Sequence, residues 1–365
     1  MTRKLALALL FGGRSSEHSV SCATAGGVLG ALDPDKYDVI PVGITRDGAY
    51  VLASGDPADY AMDPAAMPEI LPNGTRVEWP EDATSHALAV TDASGLRRHV
   101  PVDVVFPILH GPWGEDGTVQ GMLDLVDLPY VGSGVLAGAL GMDKHFMKTV
   151  FAQSGLTVAP WATITREQWR GDPGSVREAA AALGYPVFVK PARAGSSVGV
   201  AKATDASQLA AAVETALAED TKALIEPGVV GREIEIAVLG GRAGQPARAS
   251  VAGEVVVTGR DFYDFEGKYL GGAGVELVCP APLTEAELAE MQSLAVRAFD
   301  AIGAAGLSRV DFFLTEAGWV INEINTMPGF TPISMYPKCW EASGLPYPAL
   351  IDELVTLALD GRGRD

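Results

Sequence analysis

Two carboxylates and a carboxamide stand in an otherwise apolar hairpin sequence, SRVDFFLTEAGWVINEIN, from Ser308 to Asn325. Side chains alternate along a strand, so Asp311 shares a face with Phe313, and Glu323 shares one with Asn325. The TEAG turn folds the second strand back and brings Asp311 within about one register step of Glu323. These are hard oxygen donors of the kind that hold Mg²⁺, which takes few protein carboxylates plus substrate phosphates. A solvated polar face is the plain alternative. Val310, Phe312, Leu314, Val320 and Ile324 weaken it by making both strands apolar.

A second cluster suits phosphate. The segment FVKPARAGSSVGV delivers Lys190 at the end of a strand, followed by the flexible loop Gly195-Ser196-Ser197-Val198-Gly199. Backbone N–H groups of such a loop wrap phosphates while the lysine supplies charge. It is neither a Walker A nor a GxGxxG loop, and alone it is equally a plain turn. Lys144, in GMDKH at a helix start, gains interest only from Lys190. Glu226 and Glu233, in LIEPGVVGREIEI, bracket a turn that suits a hinge whose acids meet an adenine amino group or ribose hydroxyls. Taken alone, two glutamates say little. His110 opens the loop HGPWGEDG after a buried strand, where open α/β sheets bind ligands, although a lone histidine is more often structural. Glu17 sits in GGRSSEHSVS, the equivalent loop after the first strand, where it would also serve as a helix-start acid.

The elements that must position these groups are readable in outline. KLALALLF, YDVIPVGI and VDVVFPIL are Val/Ile/Leu-rich runs spaced by helical stretches, the pattern of a parallel sheet covered on both faces. SVSCATAGGVLGAL suits a helix packed closely on that sheet. Residues 53–85, rich in Pro, Asp, Ala and Gly, read as a variable surface insertion. A boundary falls near Gly141–Gly155, where Asp143 N-caps a helix. Further helices are expected over Ala206–Glu219 and Thr284–Gly303, and strands at REIEIAVLG and EVVV. Arg3-Lys4 before Leu5–Phe11 imitates a signal peptide, but the run passes straight into a Gly turn and reads as a buried first strand. No other apolar run approaches the ~20 residues of a membrane span.

Composition sets bounds on partners. The 365 residues suggest two or three domains with an ample core. There are 27 Lys+Arg against 46 Asp+Glu, a formal charge of −19, which argues against nucleic acid and requires any phosphate to be held by a local cationic cluster. Cys22, Cys279 and Cys339 are few, odd in number and without a CxxC, which reads as a reduced cytosolic chain lacking a zinc site.

In their order and spacing, these motifs resemble the D-alanine–D-alanine ligases of the ATP-grasp superfamily. The resemblance runs nearly the whole chain, from GGRSSEHSVS through HGPWGEDG, YVGSGVLAGALGMDK, KPARAGSSVGV, EPGVVGREIEI, FYDFEGKY and SRVDFFL to INEINTMPGFTPISMYP. It implies an α/β chain with the ATP-grasp fold, α+β in its ATP-binding part. An N-terminal Rossmann-like domain would span 1–140, a central subdomain with the phosphate loop 141–231, and a C-terminal subdomain with metal site and lid 232–365. It implies ATP as co-substrate, two Mg²⁺ (or Mn²⁺), and D-alanyl-D-alanine made through an acyl phosphate for peptidoglycan synthesis in the cytoplasm. A homodimer formed through the N-terminal third is implied, with no membrane or nucleic-acid partner.

Residue roles follow from the matched motifs. Lys144 and Lys190 resemble the lysines on the ATP phosphates, with Ser197 and Val198 in the phosphate loop. Glu226 and Glu233 resemble the adenine-side and ribose-side acids, and Asp311, Glu323 and Asn325 the ligands of two Mg²⁺. Glu17 resembles the anchor of the first D-alanine ammonium, networked with Ser196 and Tyr269. Lys268 is placed for the transferred phosphate. Arg309 and the Gly329 N–H resemble an oxyanion hole, Ser334 and the Met335 N–H a cradle for the second carboxylate, and His110 a histidine near the first substrate. Phe265 and Gly267 depart from the commoner Tyr and Ala, and with Gly271 and Gly272 would loosen the loop. The intact Tyr269 favours an amine over a hydroxy acid as second substrate. The competing readings are another ATP-grasp ligase, such as one making D-alanyl–D-lactate, and a non-catalytic nucleotide-binding regulator.

Overall fold

A computed structural model describes residues 3–63, 65–242, 244–257 and 274–361. Phe265, Gly267, Lys268, Tyr269, Gly271 and Gly272 lie outside the described residues. The apolar run that imitates a leader is the central strand β1 (Leu5–Gly12). It pairs in parallel with β2 (Tyr37–Ile44) and β7 (Val104–Ile108), while β3 (Tyr50–Leu52) runs antiparallel along the β2 edge. Alternation divides β1 between two cores. Leu7, Leu9 and Phe11 pack with Cys22, Ala25 and Val28 of α1 (His18–Ala31). Ala8 and Leu10 pack on the other face with Val119 and Leu123 of α2 (Thr118–Leu125). Burial of both faces explains why β1 is apolar at every position instead of every second one. Because β1 and β7 lie side by side, the loops after them, carrying Glu17 and His110, leave the sheet together.

The 53–85 segment departs from a bare surface insertion. Tyr60, Ile70 and Val77 are buried, and the Tyr60 ring meets Phe11 edge-on at 5.0 Å. Its end, β4 (Arg76–Glu78), starts a small antiparallel sheet with β5 (Ala87–Thr91) and β6 (Arg97–Pro101), whose strands are three to five residues long and do not stand out in sequence. Helices α3 (Val135–Met142) and α4 (Lys144–Gln153) follow. The Asp143 carboxylate between them caps α4, accepting from the backbone N–H groups of His145 and Phe146, and also pairs with Lys222.

An antiparallel sheet in the order β10-β9-β11-β8 comes next, from β8 (Ala162–Thr165), β9 (Val187–Pro191), β10 (Ala201–Ala203) and β11 (Lys222–Pro227). Helices α5 (Arg166–Gly171), α6 (Pro173–Leu183) and α7 (Leu209–Glu219) accompany it. The last of these begins three residues after the Ala206 expected from the alanine run. A five-stranded antiparallel sheet completes the described chain in the order β14-β13-β12-β15-β16. Its strands are β12 (Arg232–Leu239), β13 (Arg248–Val257), β14 (Val275–Val278), β15 (Leu307–Thr315) and β16 (Gly318–Asn325). Helix α8 (Glu285–Ala301) covers one face with Met291, Ala295, Ala298 and Phe299, a spacing of one helical stripe, and opens on a Thr284/Glu287 capping box. Helices α9 (Met335–Ala342) and α10 (Tyr347–Asp360) follow the hairpin. Cys279 and Cys339, distant in sequence, come together with sulfurs 3.7 Å apart as free thiols. None of the described helices is long and apolar enough to cross a membrane.

Candidate active site

The hairpin forms with Asp311 directly opposite Glu323 and Arg309 opposite Asn325. Facing residues on antiparallel strands point to the same side, so these four share one face. The other face carries Val310, Phe312, Ile321 and Ile324 into the core beneath α8. A bulge at Asn322 takes up one residue between the Asp311–Glu323 and Phe312–Ile321 pairs and keeps both acids on the site face. On the adjoining strand β12, Glu235 pairs with Asp311 and Glu233 with Phe313.

That face borders a cavity of about 530 Å³. Its walls hold Glu17, His110, Lys144, Lys190, Ser196, Ser197, Val198, Glu226, Glu233, Arg309, Glu323, Asn325 and Gly329. Residues nominated from motifs hundreds of positions apart therefore meet at one place. Asp311, Ser334 and Met335 stand apart from the lining. Ser334 is the N-cap of α9 and Met335 its first residue, and a Cβ on Gly329 would sit 3.3 Å from the Ser334 hydroxyl. The Met335 and Tyr336 N–H groups, at the start of that helix, suit a carboxylate. Lys268 and Tyr269 lie outside the described residues.

At one wall of the cavity, the Ser196 hydroxyl donates to Glu17 Oε1 at 2.5 Å. Glu17 is wedged between two backbones. A Cβ on Gly111 or on Gly195 would come within 2.8 Å of its second oxygen, so either addition would push the carboxylate aside, and Gly111 also has a positive φ of 74° that favours glycine. Ser196 and Ser197 both adopt left-handed backbone, a strained choice for non-glycine residues that curls the loop toward the cleft. The Val198 N–H bonds back to the Gly195 carbonyl, and the Lys144 ammonium donates to the Ala194 carbonyl at 2.8 Å. His110 is fully enclosed, with Nδ1 3.1 Å from the Met327 carbonyl and Nε2 3.3 Å from Thr24 Oγ1. Burial dominates its titration and lowers its pKa, leaving a neutral ring.

Three arrangements add pairings that the sequence reading did not contain. The Asp311 carboxylate is held by Arg309 through two bonds of 2.7 Å and by Asn325 Nδ2 at 3.0 Å, beneath the cavity instead of lining it. Arg309 also pairs with buried Glu235 at 3.2 Å. Burial opposes the Arg309 charge, but Asp311 and Glu235 outweigh it and lift its pKa well above the usual arginine value. Glu226, expected to face an adenine amino group, has its two oxygens on Lys148 and Lys190. Burial alone would raise its pKa, yet the two ammonium groups hold it down to about 2.

Sequence reasoning passed over Lys148, Glu235 and Glu115. Lys148 was discoverable as the residue one turn after Lys144 on the same helix face. Glu115 lies in the HGPWGEDG loop and accepts the Gly111 N–H at 2.7 Å. Burial and then the negative charge of Glu17 push its carboxyl up to about 8, so it carries a proton at neutral pH. At this site the folded chain binds more protons than the unfolded one between about pH 4.5 and 8, so Glu115 contributes stability that is lost as pH rises through that window, while His18 and His110, whose pKa values burial lowers, act the opposite way in its acid part. Glu115→Gln should remove this contribution and so change the slope of stability against pH. Thermal midpoints of both proteins across the window check it, and parallel slopes would refute the assignment.

Among the described residues no three His, Cys, Asp or Glu side chains gather as a preformed metal cage. Asp311, Glu323 and Asn325 instead offer a sparse, all-oxygen set. That chemistry fits Mg²⁺, which leaves several positions to water and substrate phosphates, and does not fit a thiolate or imidazole metal.

A family profile described as D-ala D-ala ligase C-terminus matches residues 150–356, and one described as D-ala D-ala ligase N-terminus matches residues 6–133. The chain belongs to the D-alanine–D-alanine ligase family. A D-alanine–D-alanine ligase of Paenarthrobacter aurescens is 54% identical, covering 98% of this chain and 96% of that protein. Another, of Streptomyces coelicolor, is 49% identical over 97% and 92% of the two chains. Among solved structures, the D-alanine-D-alanine ligase of Coxiella burnetii superposes with a TM-score of 0.83 at 33% identity, covering 99% of this chain and 95% of its own. A D-Ala:D-Ser ligase of Enterococcus faecalis gives the same TM-score of 0.83 at 32% identity, over 98% and 100%. Family members of this kind have the ATP-grasp fold and use ATP with a divalent metal, and the mixed α/β architecture is that fold.

Proposed function

We propose that this protein joins two D-alanines into D-alanyl-D-alanine with ATP, through an acyl phosphate, for cell-wall precursor synthesis. The observation that carries the reading is the Ser196–Glu17 hydrogen bond of 2.5 Å, because it ties an acid suited to a substrate ammonium to the loop suited to phosphates. A free carboxylate is a poor acylating agent, so the γ-phosphoryl group supplies the leaving group. The protein's task is to position the reactants, neutralise charge and exclude water.

In this reading Glu17 holds the first ammonium. Lys144, Lys190 and the 195–199 loop orient the phosphates, with Lys268 assigned to the transferred group and Tyr269 to the Glu17–Ser196 network. Glu233 takes the ribose, and Glu226 serves the nucleotide end through its lysines. Asp311, Glu323 and Asn325 would hold two Mg²⁺, with Asp311 exchanging part of its pairing to Arg309. Bound there, the ions would supply positive charge and Lewis acidity to the phosphates. Arg309 and the Gly329 N–H stabilise the oxyanion as the second amine attacks, and Ser334 with the Met335 N–H receives the second carboxylate. His110 packs near the first substrate as a neutral ring. The domain limits 1–140, 141–231 and 232–365 belong to the same proposal. So does a homodimer through the N-terminal third; Leu125 and Leu136, just beyond that third, are exposed apolar side chains. A cytoplasmic location accords with the use of ATP.

The test is phosphate release with ATP, Mg²⁺ and a panel of D- and L-amino acids. D-alanine should drive release and give D-alanyl-D-alanine, and no D-alanine-dependent release would overturn the reading. The likeness to a D-Ala:D-Ser ligase makes D-serine the second acceptor to include, since a mixed dipeptide as main product would redirect the second-substrate assignment.

A further inference from the structure

Lys148 is a buried lysine with no role in the chemistry described so far. Its side chain is 2% exposed, and its ammonium is 2.5 Å from Glu226 Oε1. It lies one turn beyond Lys144 on α4, so both lysines leave the helix toward the cleft. The Trp161 ring stands 5.5 Å from the same ammonium. The second Glu226 oxygen takes Lys190. That contact follows from strand register. Leu224 is opposite Lys190, which puts Glu226 two residues along on the same face, within diagonal reach of a long side chain.

The result is a buried Lys148–Glu226–Lys190 chain. One carboxylate is divided between two ammonium groups, only one of which carries the phosphate role. A buried charge needs a partner, and a carboxylate robbed of one partner draws harder on the other. We propose that Lys148 is a positioning residue that sets how far Lys190 can serve the nucleotide phosphates, by sharing the charge of Glu226. With Lys148 present, Lys190 gives Glu226 one contact and keeps N–H donors for a phosphate. Without it, Lys190 becomes the sole counterion of a buried acid and its donors turn away from the ligand. The inference rests on the nucleotide reading of the cleft, which ATP binding by the unaltered chain tests separately in the same experiment.

The experiment is calorimetric titration of adenosine, ADP and ATP into the full-length protein and its variants. Lys148→Met should weaken ADP and ATP by about tenfold or more, the scale of a lost charged contact, and leave adenosine within about twofold. Adding Glu226→Gln to Lys148→Met should recover part of the ATP affinity, because the acid that captures Lys190 is gone. Lys148→Arg, which keeps a charge on Glu226, should remain closer to the unaltered protein. If Lys148→Met does not fold, Lys148→Gln keeps a donor without the charge and carries the same comparison. Equal loss for adenosine and ATP would overturn the proposal, as would a double variant no better than the single one.

Discussion

Arg309→Met is expected to lower turnover by about a hundredfold or more, the usual effect of removing one donor from an oxyanion hole. It should also destabilise the fold. Arg309 is the shared partner of Asp311, through two bonds of 2.7 Å, and of Glu235 at 3.2 Å, and both acids are almost fully buried. Removing one partner of a buried ion pair typically costs about 3–5 kcal/mol, because it strands the opposite charge. Denaturant unfolding and steady-state kinetics check both parts. Arg309→Lys separates them. It keeps the charge and much of the stability but loses the planar fork that grips Asp311 from two nitrogens. A methionine variant with near-normal turnover would remove Arg309 from the reaction.

Glu323→Ala and Asn325→Ala should each cost about a hundredfold or more in turnover, since the charge supplied by a bound metal is worth several kcal/mol. The Mg²⁺ concentration giving half-maximal rate should rise with the loss. That second readout separates a metal ligand from a residue that merely supports the strand. Asn325 has a further duty, because its Nδ2 donates to Asp311 Oδ2 at 3.0 Å and so orients the neighbouring acid. Asn325→Asp would set two like charges side by side there, and should impair the site at low Mg²⁺ more than at high. Near-normal rates at ordinary Mg²⁺ for either alanine variant would refute the hairpin as the metal site.

Much of this site was legible without coordinates, for a local reason. Strand alternation is a two-residue period, so Asp311, Glu323 and Asn325 could be put on shared faces from spacing alone, and the register bears this out. The Asp143 cap is likewise a short-range signal. The same locality explains why the buried anchors of the 53–85 surface insertion were not foreseen. The 53–85 segment is held by Tyr60, Ile70 and Val77 against distant partners, and no periodicity in a Pro- and Gly-rich run announces such contacts.

What residue types and spacing determined, then, was the list of chemical groups and the strands, turns and caps that carry them. Their order also carried the family resemblance, and with it the expectation of ATP despite a net charge of −19. What only the tertiary structure decided was the pairing of charges. Lys148 reads as an ordinary helix lysine until β11 brings Glu226 against it, Asp311 as a bare ligand until Arg309 grips it, and Glu115 as an ordinary acid until burial beside Glu17 leaves it protonated. Charge interactions deepen as water is excluded, and exclusion of water is a property of segments that meet in space.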